Sequence, residues 1–154
     1  MRYVLLFVLM CLCSACGSST NEETLSNTDP SPTNQEEMGF LHIQKISADN
    51  ASAGTKIIKD KEKIQNILSA TENVKVQETS KNTNMEKQTD QPSYLFSFSK
   101  QRNVNEQAAY SFFLYQDGTI IILTEQDHNY IVPPEDSNEA MERIQEIANL
   151  TDED

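Results

Sequence analysis

The apolar and polar positions of this 154-residue chain change rhythm several times along its length. Tyr3 to Leu12 (YVLLFVLMCL) is an unbroken apolar run. It has about half the ~20 residues that a bilayer-spanning helix needs. Arg2 precedes it, and the small residues Ser14, Ala15 and Cys16 follow it. Positive start, apolar middle and small-residue end form the three-part plan of a secretory signal, expected here over residues 1–15. Gly17 to Glu37 (GSSTNEETLSNTDPSPTNQEE) holds one large apolar residue, Leu25. Such a segment cannot bury enough surface to offset its ordering entropy, so residues 16–37 are expected to be a disordered tether with Cys16 at its head. As a flexible coil it would span on the order of 25 Å.

Periodic patterning begins after Met38. Phe40 to Ile46 (FLHIQKI) alternates as a half-buried strand does, and Thr55 to Ile58 can add a short extended piece. Asp60 is a good N-cap for a helix whose Ile64, Ile67 and Leu68 share one face and which should end near Asn73. Val74 to Glu78 reads as a strand. Ser80 to Gln91 (SKNTNMEKQTDQ) is polar throughout and is expected to be a mobile loop. Tyr94, Phe96 and Phe98 mark another strand, and Tyr130 to Val132 a short last one, stopped by Pro133 and Pro134. Asp136 and Glu139 have capping-box spacing before a stripe of Ala140, Met141, Ile144, Ile147 and Ala148. Thr151 to Asp154 is an acidic tail. The expected fold is α+β: an antiparallel sheet of about five strands with two helices packed on it, in the order β-α-β-β-β-β-α, as one domain over residues 38–150.

The clearest local signal is Tyr110 to Glu125 (YSFFLYQDGTIIILTE), with Asp117-Gly118 between two β-rich runs. A two-residue turn there sets Tyr115 opposite Ile120, Phe113 opposite Ile122 and Leu114 opposite Ile121. Phe113, Tyr115, Ile120 and Ile122 would then share one face, and Phe112, Leu114, Ile121 and Leu123 the other. Both faces are apolar. If the helices cover only the Phe112 side, the set Phe113, Tyr115, Ile120 and Ile122 is a candidate partner-binding face.

Charge and chemistry narrow the picture. The chain has 12 Lys and Arg against 24 Asp and Glu, a net charge of −12. That surface repels nucleic acid and anionic headgroups. Lys56, Lys59, Lys61 and Lys63 form a small basic cluster near the first helix start, expected to be a solvated face. The three cysteines are Cys11, Cys13 and Cys16, so a chain cleaved after Ala15 keeps only Cys16. His42 and His128 are the two histidines. His42, alternating with Leu41 and Ile43, is expected to face solvent on an edge strand, and His128 to sit in a polar loop. Asp60 and Glu62 suit a helix N-terminus better than an acid pair. No metal-ligand spacing, Gly-x-Ser-x-Gly elbow or phosphate-cradling glycine loop occurs. No catalytic residue, metal or cofactor is expected.

Two resemblances add to this reading. Leu12-Cys13-Ser14-Ala15-Cys16-Gly17-Ser18-Ser19 resembles a bacterial lipobox, with Cys13 where the usual pattern has Leu. The resemblance implies cleavage before Cys16, attachment of diacylglycerol to its thiol and a membrane-anchored extracytoplasmic protein. The helix opening Ile58-Lys59-Asp60-Lys61, the run Val74-Lys75-Val76, the strand opening Pro92-Ser93-Tyr94 and the Asp117-Gly118 hairpin followed by Tyr130 resemble the uncharacterised YhfM-like extracytoplasmic domains of bacilli. That resemblance implies a location and a fold and no reaction. The expected function is a non-catalytic binding module of the cell envelope with an unknown envelope partner; the alternative is a small envelope enzyme or solute-binding protein.

Overall fold

The computed structural model describes residues 38–48, 51–72, 74–102, 108–124 and 128–150. The expected signal (1–15), lipid-bearing Cys16, tether and acidic tail lie outside the described residues. Among the described residues no helix is long and apolar enough to cross a membrane.

The chain forms β1 (Phe40–Ile46), β2 (Ser52–Ile58), α1 (Lys61–Glu72), β3 (Gln77–Ser80), α2 (Lys81–Asp90), β4 (Ser93–Ser99), β5 (Tyr110–Tyr115), β6 (Ile120–Leu123), β7 (His128–Val132) and α3 (Pro134–Ala148). All strand pairs are antiparallel, in one seven-stranded sheet ordered β2-β1-β4-β5-β6-β7-β3. The expectation of about five strands and two helices in the order β-α-β-β-β-β-α is therefore corrected, among the described residues, to seven strands and three helices in the order β-β-α-β-α-β-β-β-β-α. The two edge strands and α2 carry weak patterns for physical reasons. β2 is an edge strand whose inward residue Ile58 is buried while Ile57 is 38% exposed. β3 (QETS) is the other edge and starts three residues later than the alternation suggested, because Val74 and Val76 pack against the core before the strand begins. α2 replaces the expected loop over 80–91 and is a polar helix held by contacts with the β5–β6 hairpin.

β2 and β3 are opposite edges, so the connection through α1 crosses the whole sheet. Six strand spacings are ~29 Å, whereas a 12-residue helix is ~18 Å long. Asp60 caps α1, its Oδ1 accepting from the N–H of Glu62 at 3.0 Å and of Lys63 at 3.3 Å. α3 starts earlier than the Asp136–Glu139 spacing implied: Pro134 opens the helix with Pro133 as N-cap, and no side-chain cap bond forms. The proline ring presets φ and lacks the N–H that would go unpaired there.

α1 and α3 pack side by side on one face. Ile64, Ile67, Leu68, Ala140, Ile144 and Ala148 meet a sheet surface built from Leu41, Ile43, Phe96, Phe98, Phe112, Leu114, Ile120, Ile122 and Val132. Phe96 and Phe112, paired across β4 and β5, stack at 4.7 Å. A second, smaller cluster lies on the opposite face: Phe113, Tyr115 and Ile121, flanked by Ile46, Leu95, Leu123 and Ile131.

That division corrects the hairpin register. Tyr115 N–H donates to the Thr119 carbonyl at 2.9 Å and Gly118 N–H to the Tyr115 carbonyl at 3.0 Å, with Gly118 at φ +88°. The loop thus has three residues, a turn closed by a left-handed glycine bulge. Leu114 pairs with Ile120, Phe113 with Ile121 and Phe112 with Ile122. A slip of one residue moves a whole strand to the other face. The candidate set is split by it: Phe113 and Tyr115 stay on the second face, while Ile120 and Ile122 join the main core.

Candidate functional site

The second sheet face is where the surviving candidates Phe113 and Tyr115 lie, and α2 covers it at the hairpin end. The sequence of α2, KNTNMEKQTD, has no apolar stripe, and its N-cap Ser80 makes no side-chain cap bond. A helix of this kind needs tertiary partners to persist. It finds them on the hairpin. Tyr115 Oη donates to Asn84 Oδ1 at 2.5 Å and reaches the Asn84 carbonyl at 3.2 Å. Lys87 Nζ donates to Asp117 Oδ2 at 2.7 Å and Thr119 Oγ1 at 2.8 Å, and lies 5.4 Å from the Tyr115 ring centroid. Asp117 N–H donates to Gln91 Oε1 at 3.3 Å. Tyr115, under these contacts, is only 1% exposed, and Phe113 and Ile121 are buried beside it among Ile46, Leu95, Leu123 and Ile131.

The same contacts fix the protonation states. Burial acts to raise the Asp117 carboxyl, but hydrogen bonds from Lys87, Thr119 and Gln91 outweigh it and hold it well below the usual carboxylate range. Burial and then the Asp117 charge push the Tyr115 phenol well above its ordinary value. An ionised carboxylate and a neutral phenol, both saturated with partners, make a clamp between helix and turn. Neither is poised to exchange protons near neutrality.

The other residues singled out by sequence are scattered. β1 lies between β2 and β4, so His42 is not on an edge strand, and it is 3% exposed instead of facing solvent. Neither ring nitrogen has a hydrogen-bond partner among the described residues. His128 is on β7, not in a loop; its Nδ1 lies 3.6 Å from Glu78 Oε1 and its ring meets Tyr130 edge-on at 5.4 Å. Among the described residues no group of three or more His, Cys, Asp or Glu is placed to hold a metal ion. Lys56 departs from its basic cluster and donates to the Ala148 carbonyl at 2.7 Å and the Asn149 carbonyl at 3.3 Å, at the C-terminal end of α3. Sequence reading missed that role and the roles of Asn84, Lys87 and Asp117. No local pattern marks them, because each partner lies 30 or more residues away.

On this face the sheet continues beyond α2 through half-buried Leu95, Leu123 and Ile131 to Ser97 and Ser111, whose hydroxyls lie 3.3 Å apart. Among the described residues this mixed surface brings together no acid, base and nucleophile. Compared with family models, curated proteins and solved structures, the chain matches none.

Proposed function

We propose that this chain is an extracytoplasmic protein anchored in the cell membrane through diacylglycerol on Cys16, and that its domain is a non-catalytic binding module of the envelope. The observation that carries the reading is the run from Arg2 to Cys16, an apolar segment too short to span, ending in small residues and a cysteine. Two acyl chains make a stable anchor, since each buried methylene contributes about 0.8 kcal/mol and a single chain holds only marginally. Charge is compatible with the placement. Loss of residues 1–15 removes only Arg2, leaving 11 basic against 24 acidic residues, a net −13. A tether on the order of 25 Å long exceeds the ~8 Å screening length at physiological salt, so an acidic domain is not pressed against anionic headgroups. The non-catalytic half is supported by the clamp, in which the two groups with displaced ionisation among the described residues tie a helix to a turn.

Cys16→Ala tests the anchor. In a lipoprotein-processing bacterium the parent chain should incorporate labelled fatty acid and sediment with membranes, and the variant should lose the label. A variant that still labels refutes the assignment. Cross-linking at the cell surface followed by recovery of the chain tests the binding half: no cross-linked envelope component, or turnover of an envelope substrate by the purified chain, counts against it.

A further inference from the structure

A cavity of about 280 Å³ opens on the α1–α3 side of the sheet, between the β1–β2 edge and the end of α3. It is near the lower end of small-molecule pockets, which start at roughly 300 Å³. Its floor is apolar: Ile43 from β1, the half-buried Tyr94 ring from β4, and Leu150. Its rim carries Lys45, Lys56 and Gly54. Local structure explains why these residues meet. Ile43 pairs with Lys56 and Lys45 with Tyr94, so all four project to the same side. The β1–β2 register shifts between Gln44 and Lys45, and Gly54 takes the extra position at φ +69°. A side-chain carbon built there would meet nothing within 4 Å. At the other wall, Asn149 adopts the left-handed conformation, and Leu150 N–H returns to the Gln145 carbonyl at 3.0 Å, which turns Leu150 back over the cavity.

The charges are unusual for so acidic a chain. Lys56 gives hydrogen bonds to two carbonyls at the C-terminal end of α3, whose dipole offsets its positive charge only in part. Lys45 Nζ lies 6.0 Å from the Tyr94 ring centroid. Among the described residues neither lysine is paired with a carboxylate. Two ammonium groups above an aromatic and aliphatic floor fit one chemistry. From this geometry we infer that the cavity binds a small monoanion with an apolar body, an aryl or short-chain carboxylate. The carboxylate meets Lys45 and the remaining proton of Lys56, and the apolar body lies on Tyr94, Ile43 and Leu150. This inference goes beyond the lipid-anchor reading, and Cys16 takes no part in its test.

The test uses the full ¹⁵N-labelled chain in a non-ionic detergent, titrated into the millimolar range with benzoate, benzyl alcohol and benzylamine. Benzoate should move the amide signals of Gly54, Thr55, Lys56 and Leu150 saturably, benzyl alcohol weakly and benzylamine not at all. Lys45→Gln should weaken benzoate by about tenfold, the loss of one charge-assisted contact, while Lys45→Arg keeps most of the affinity. Both variants should leave signals from α1 and β5 in place, which separates lost binding from lost folding. Equal shifts from benzylamine and benzoate, no saturable benzoate shift at these amides, or unchanged affinity in a folded Lys45→Gln chain would each overturn the inference.

Discussion

Truncating neighbouring residues of β6 measures the hairpin register directly. Ile122 is fully buried, paired with Phe112 on one side and Tyr130 on the other, within the core under α1 and α3. Leu123, one residue on, faces the second side and is only half-buried. Ile122→Ala removes three carbons from a closed space. At about 0.8 kcal/mol per buried carbon the transfer loss is ~2.4 kcal/mol, and the cavity left between Phe112 and Tyr130 brings the cost toward 3–5 kcal/mol, roughly the upper half of the range for such truncations. Leu123→Ala removes as many carbons from a site already open to water, so its cost should be about 1 kcal/mol or a little more. Urea unfolding of both variants, followed by far-ultraviolet circular dichroism, gives the two losses from the shift in midpoint at constant slope. A two-residue turn would place Leu123 with Phe112 and Ile122 with Phe113 and Tyr115. Equal losses, or a larger loss for Leu123→Ala, would refute the three-residue loop and the division of faces built on it.

Three further outcomes follow from the clamp and the turn. Asp117 has a folded-state pKa below its unfolded one, so its contribution is present above about pH 4 and is lost as pH falls through the folded value; Asp117→Asn should flatten the acid limb of stability against pH. The carboxylate is 40% exposed, so the effect at neutral pH should be no more than about 1 kcal/mol, and an unchanged acid limb would dismiss the Lys87 contact as a stabilising one. Tyr115→Phe removes the hydroxyl that reaches Asn84; amide exchange across α2 should quicken while global stability falls by only about 1 kcal/mol, and unaltered exchange would mean that α2 is held by something else. Gly118→Ala places a carbon 3.1 Å from Met141 Sδ at a positive φ, which should lower the thermal midpoint by several degrees, equivalent to about 1–2 kcal/mol; a neutral result would argue against the left-handed bulge.

Some of this molecule is legible without its fold. The β1 alternation, the Asp60 cap, the α1 face of Ile64, Ile67 and Leu68, the α3 stripe and the existence of the β5–β6 hairpin are local patterns, and local patterns record which side of an element meets the core. The boundary between polar segment 17–37 and the patterned residues after Met38 is a change of composition that needs no structure to see. Tertiary structure decided the rest. Asp-Gly is compatible with loops of two or three residues, and the extra residue chosen here, with Gly118 against α3, is what sends Ile120 and Ile122 into the main core. The polar segment 81–90 becomes helical because Asn84, Lys87 and Gln91 meet Tyr115, Asp117 and Thr119 from a distant hairpin. His42 lies on an inner strand because β2 pairs outside β1. The lysine-rimmed cavity exists only where a bulge at Gly54 faces the turned-back end of α3. Each of these depends on residues far apart in the chain, and a periodicity read along one segment carries no information about which distant segment will cover it.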